Sequence, residues 1–177
     1  VLAAKREEFT YSETPRMAPA TDTVPAPPLI EEAAKVLAAA KSPMLIVRDS
    51  GRDPKCLQPL VELAELISMP VFEATSAYVN FPQSHSLHAG SGAGEHVPTA
   101  DAIILLEVDA PWVQKRTPPS DDACIISIGQ DPLHTDIPIR SYRTDITLAG
   151  TPRLTIAALV EAIKKIGMDA AAVKKRA

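Results

Sequence analysis

Apolar positions along this chain follow two alternating rhythms. Ile30, Ala33, Ala34, Leu37 and Ala40 recur at helical spacing just after Pro28, and predict a first helix. Glu31 and Glu32 near its start and Lys41 at its end suit the helix dipole. The unbroken apolar run PMLIV at 43–47 is too short for a helix between its polar boundaries, and predicts a buried strand. A second cycle follows. Asp53 is placed to cap a helix opened by Pro54, with Leu57, Leu60, Val61, Ala64 and Ile67 as its apolar stripe. Met69-Pro70 closes that helix, and VFEA at 71–74 predicts a second strand. Further strands are expected at 101–108 (DAIILLEV), 123–128 (ACIISI) and 145–150 (DITLAG). Thr151 and Pro152 open a final helix whose apolar side reads as Leu154, Ala157, Ala158, Val160, Ile163 and Ile166, and Gly167 ends it.

The strands are continuously apolar instead of alternating, as strands buried on both sides must be. Strand-helix alternation then predicts an α/β fold: an open, mainly parallel, Rossmann-like sheet of five or six strands with helices on both faces. The long irregular stretch after the second strand, residues 76–100, is expected to hide a short edge element. Five prolines within residues 13–28 indicate an extended linker. The expected division is therefore the end of a preceding domain plus linker at 1–28, a central α/β domain at 29–166, and a tail or the start of another linker at 167–177.

Composition narrows the function classes. The 177 residues suit one domain, and 18 Lys and Arg against 22 Asp and Glu leave a charge of −4. That balance gives no electrostatic basis for binding nucleic acid or an acidic membrane. Apolar runs of about five residues are far below the ~20 that a bilayer demands. Cys56 and Cys124 do not make a disulfide framework, lie in apolar surroundings, and read as core residues of a reduced, cytoplasmic protein. The 17 prolines outnumber the 7 glycines, the reverse of average usage.

In a sheet of this kind ligands lie beyond the carboxyl ends of the strands. Three turns qualify. Ser50 and the Gly51 amide could approach a phosphate or ribose, Asp109 and Ala110 follow the 101–108 strand, and Gln130 and Asp131 follow the next, with Asp131 placed to accept ribose hydroxyls. The same letters also describe turns and helix caps. The first turn, RDSGRDP, lacks the several glycines of a dinucleotide fingerprint, and the loop at Gly90, Gly92 and Gly94 lacks the lysine-serine ending of a phosphate loop. His85, His88 and His96 do not have the spacing of a metal site. Trp112, alone of its type, reads as a packing anchor for its loop. No residue is a convincing catalytic candidate.

The order of these pieces resembles the central domain of thiamine-diphosphate-dependent enzymes, the family of acetolactate synthase and the 2-oxo acid decarboxylases. AAAKSPMLIV, LVELAELISMPVFEA, Phe81-Pro82 with His85, Leu87 and Gly90, DAIILLEVDAPW, CIISIGQDPL and the closing helix from Thr151 carry the likeness across residues 29–166. VLAAKREE resembles the exit from a preceding pyrimidine-binding domain. The resemblance implies a non-catalytic middle domain that positions its neighbours and helps subunits assemble into a homo-oligomer. Its parent would use thiamine diphosphate and magnesium, held by flanking pyrimidine-binding and diphosphate-binding domains, to act on a 2-oxo acid. Some relatives bind flavin or an adenine nucleotide here, which by position would fall to Ser50, Gly51, Asp109, Ala110, Gln130 and Asp131. The chain departs from that pattern in its first turn and at Glu107-Val108-Asp109. A free-standing nucleotide module and an NAD-dependent deacylase are the competing classes.

Overall fold

Helix α1 (Pro27–Ala39) leads into strand β1 (Pro43–Val47), α2 (Leu57–Ile67) into β2 (Val71–Glu73), and then β3 (Ala102–Leu106), β4 (Cys124–Gly129), β5 (Ile146–Ala149) and α3 (Pro152–Ile166) follow. This computed structural model describes residues 21–75 and 77–168 together with Val173 and Arg176. The expected helical turns in VLAAKREEF lie outside the described residues. All five strands are parallel, in the order β2-β1-β3-β4-β5. The chain moves one way from β1 to β2 and the other way from β3 onward, so the crevice between the carboxyl ends of β1 and β3 is the topological switch point.

Right-handed crossovers decide which face each connection covers. The β1-to-β2 crossover places α2 on the same face as α1 and α3, where Leu45, Val47, Ile104, Leu106, Ile126 and Ile128 form the core beneath them. The connections from β2 through β5 run over the opposite face. They are rich in proline and carry two short 3-10 helices, Ala93–Glu95 and Val97–Thr99. Ala93, Val97 and Trp112 there cover Met44, Ile46, Ile103, Leu105 and Ile125. Helices thus occupy both faces, unequally. The edge element expected within 76–100 is a single parallel bridge, Val71 to His88, with the Ala89 amide donating to the Val71 carbonyl at 2.8 Å.

Local chemistry accounts for the boundaries. Asp53 does cap, its carboxylate accepting from the Lys55 amide at 3.0 Å, but the turn it caps is 3-10 (Pro54–Cys56) before α2 begins. Helix α2 ends on Ser68 in the left-handed region (φ 50°), and α3 on Gly167 at φ 80°. Two sequence expectations need correction. Helix α1 begins at Pro27, so Glu31 and Glu32 fall beyond its first turn, and Lys41 lies past the Ala40 cap, where its amide donates to Asp101. The buried side of α3 is Thr155, Ile156, Leu159, Val160 and Ile163; Leu154, Ala157 and Ala158 are half-exposed and Ile166 is 45% exposed. Alanines on both sides of the helix make its phase ambiguous, and packing between α1 and α2 selects the bulkier branched set.

Candidate functional site

The sheet's carboxyl edge carries all six candidate residues, in turns after β1, β3 and β4. Ser50 is buried, and its hydroxyl donates to Asn80 Oδ1 at 3.2 Å; the Gly51 amide donates to the same oxygen at 2.8 Å. Asn80 is itself buried, and its backbone and side-chain nitrogens donate to Glu73 Oε1 at 3.2 and 3.3 Å. Glu73 Oε2 lies 3.4 Å from His88 Nε2. A network therefore runs from β2 across to the β1 turn, and it absorbs the donors that a phosphate would need. Gly51 is required there for space. A Cβ would lie 2.2 Å from the Val79 carbonyl oxygen.

Asp109 pairs with Arg48, which also lies 3.6 Å from Asp49. The Arg48 hydrogen bond holds the Asp109 carboxyl below the usual carboxylate range. The Ala110 amide donates to Asp109 Oδ1 at 2.8 Å, closing its own turn. Glu107 ends β3 at φ 53°, the left-handed region that non-glycine residues seldom occupy. There its Oε1 accepts from the Gln130 amide at 2.9 Å. Asp131 Oδ2 accepts from the Thr135 amide and hydroxyl at 2.6 and 2.8 Å. Those two bonds depress the Asp131 pKa.

Two clefts flank Glu107. One, of about 250 Å³, lies between Ser50, Asp53, Gln130, Thr151 and Arg153. The other, of about 330 Å³, is lined by Asp49, Glu107, Asp109, Asp131 and Asp136 with Arg48 and Arg52. The structure thus brings Asp109, Gln130 and Asp131 to one cleft, Ser50 and Gln130 to the other, and holds Gly51 beneath Asn80. Carboxylates outnumber guanidinium groups in the larger cleft, so its field opposes a pyrophosphate. The sequence reading missed Asn80, Glu73 and Glu107 as the groups that organise this edge. The only sequence signal was the Glu107-Val108-Asp109 departure after β3.

Other candidates disperse. His85 Nε2 lies 3.1 Å from Glu65, His88 meets Glu73, and His96 packs on Phe72 with ring centroids 5.0 Å apart. Among the described residues no group of three or more His, Cys, Asp or Glu could hold a metal ion. Burial pushes the Cys56 thiol up to about 12, so thiolate is scarce at neutral pH. Trp112 is buried edge-to-face against Tyr142, whose hydroxyl donates to the Trp112 carbonyl at 3.0 Å. No helix among the described residues is long and apolar enough to cross a membrane.

A family profile described as the thiamine pyrophosphate enzyme central domain matches residues 30–159. An acetolactate synthase of Mycobacterium avium is 30% identical over 148 residues, covering 78% of this chain and 23% of that protein. The acetolactate synthase of Mycobacterium bovis (strain ATCC BAA-935 / AF2122/97) is 30% identical over 150 residues, covering 75% and 24%. The chain spans about a quarter of these curated relatives. Among solved structures, a putative thiamin diphosphate-dependent enzyme from Mycobacterium smegmatis superposes with a TM-score of 0.69 at 22% identity, covering 83% of this chain and 30% of that one. Benzoylformate decarboxylase from Polynucleobacter necessarius gives 0.68 at 20%, covering 92% and 31%. At those identities the likeness bears on the fold.

Proposed function

The chain belongs to the family of thiamine pyrophosphate enzyme central domains, and from that premise we propose that it is a non-catalytic domain of a cytoplasmic thiamine-diphosphate-dependent enzyme. Its work is to hold flanking pyrimidine-binding and diphosphate-binding domains in place and to contribute to subunit assembly. The parent acts on a 2-oxo acid by decarboxylation or acyl-carbanion transfer, with thiamine diphosphate as the electron sink. One observation carries the non-catalytic reading. The polar groups at the switch point are bonded to one another: Ser50 and Gly51 to Asn80, Arg48 to Asp109, Glu107 to Gln130. The larger cleft beside Glu107 sets five carboxylates against two guanidinium groups, a field that opposes the cofactor's diphosphate. The residues present do not fit that group, and no catalytic step is assigned to them.

The alternative is a flavin or adenine nucleotide lying across Ser50, Gly51, Asp109, Ala110, Gln130 and Asp131. It would have to take the Gly51 amide from Asn80 and bring phosphates among Asp49, Glu107 and Asp109. Calorimetric titration of the chain with thiamine diphosphate plus Mg²⁺, FAD and ADP, beside an assay of CO₂ release from pyruvate, tests both readings. No saturable binding and no turnover are expected. Turnover by the chain alone would overturn the non-catalytic reading. Saturable FAD or ADP binding that Asp131→Ala weakens would establish the nucleotide reading in its place.

A further inference from the structure

Helices α1 and α3 lie side by side on the helical face, and both run from the carboxyl edge of the sheet to its amino edge. The reason is topological: α1 feeds the amino end of β1, and α3 leaves the carboxyl end of β5. The groove between them encloses about 450 Å³. Its apolar lining is Val24, Pro25, Pro27 and Ile30 on one side and Ala158, Ala162 and Ile166 on the other. Val24 and Ile166 are 52% and 45% exposed. Such apolar surface, gathered in one rimmed channel, marks an interaction surface more often than isolated exposed residues do.

The charges on the rim say what covers it. Each helix sets a glutamate four residues ahead of a lysine: Glu31 and Lys35 on α1, Glu161 and Lys165 on α3, all four lining the groove. Because the helices run the same way, both glutamates lie nearer the carboxyl edge and both lysines nearer the amino edge. The groove is therefore acidic at one end and basic at the other. Among the described residues Glu31, Lys35 and Lys165 enter no ion pair, while Glu161 meets Lys164 at 3.1 Å. A two-fold axis through the middle of the groove turns this polarity end for end. It sets the glutamates of one copy against the lysines of the other and closes apolar floor on apolar floor, the self-complementarity an isologous contact demands.

We propose that the α1–α3 groove is a self-association surface, occupied by the same groove of a second copy of this chain in antiparallel register. This rests on the assembly role proposed above and names the surface that performs it. Helices of 13 and 15 residues are only about 20 Å long at 1.5 Å per residue. The contact is small, so the association depends on concentration.

Sedimentation equilibrium on the full chain, from low to high micromolar concentration, tests it with two charge-reversed variants whose folding is checked by far-UV circular dichroism. The wild type should approach twice the chain mass. Lys35→Glu with Lys165→Glu, and separately Glu31→Lys with Glu161→Lys, should each remain monomeric. An equimolar mixture of the two variants should regain the doubled mass. A wild type that stays monomeric overturns the proposal, whether residues 1–20 of the same chain or a different partner then covers the groove. A dimer that both variants retain also overturns it, while leaving assembly through another surface intact. The turnover assay above reads the non-catalytic role separately.

Discussion

Gly51 and Asp109 are both residues of the candidate edge, and they differ in what holds them. Gly51 is fixed by volume, since the Val79 carbonyl and the Tyr78 Cβ occupy the space of any side chain. Gly51→Ala should cost about 1–3 kcal/mol, the usual range for overpacking a closed site, read as a lower urea midpoint at unchanged slope. Asp109 is fixed by charge. Its pKa is depressed chiefly by the Arg48 hydrogen bond, so the folded state binds its proton less readily than the unfolded chain. The pair's stabilisation is fully present above the unfolded carboxylate value, about 3.9, and is lost as pH falls through the folded value. With both side chains 35% exposed, solvent screening limits the contribution to less than about 1 kcal/mol. Asp109→Asn should therefore lower stability slightly at pH 7, and the gap to wild type should close in acid below about pH 4. A gap that widens in acid would contradict this pairing.

At the scale of elements, what was legible in the sequence depended on how local each determinant is. β1 stands at 43–47 as read, because Pro43 and Arg48 bound a run with no polar residue. β3 is one residue shorter at the start and two at the end than its apolar run, since Glu107 turns the chain at positive φ. The α3 stripe was misread because spacing alone does not rank Leu154 and Ala157 against Ile156 and Leu159; the helices on either side do. The candidate site divides the same way. Its turns were legible from strand ends, but the partner of Ser50 and Gly51 is Asn80, 30 and 29 residues away, a contact that no local pattern encodes. Ser68 was equally hidden. It closes α2 in the left-handed region, with the Met69 amide reaching back to the Ala64 carbonyl at 2.9 Å, a position where glycine is the favoured residue. Ser68→Gly should raise stability by on the order of 1 kcal/mol, the approximate cost of a Cβ in that region, seen as a higher unfolding midpoint with unchanged helical dichroism.

The whole molecule is a sheet clad differently on its two faces, and that asymmetry predicts how it opens. Helices α1, α2 and α3 cover one face through a continuous apolar core. The other is covered by connections tied to one another at a few points. Trp112 stacks edge-to-face on Tyr142 at 5.4 Å, the Gln114 side chain donates to the Ser141 carbonyl at 2.6 Å, and Arg140 Nε donates to the Asp109 carbonyl at 3.2 Å. These contacts join the β3–β4 connection to the β4–β5 connection, so the two should open as one unit, at lower free energy than the sheet beneath. Native-state hydrogen exchange should find the slowest amides in β1, β3 and β4, which are paired on both sides, and faster exchange in residues 110–120 and 130–143. Trp112→Ala removes the anchor common to both connections, at a cost of about 3–5 kcal/mol for a buried aromatic. It should raise exchange in both stretches together while leaving the relative protection of α2 and β1 against β3 unchanged. If only residues 110–120 respond, the connections are independent, and the second face is a set of separate loops instead of one cooperative cover.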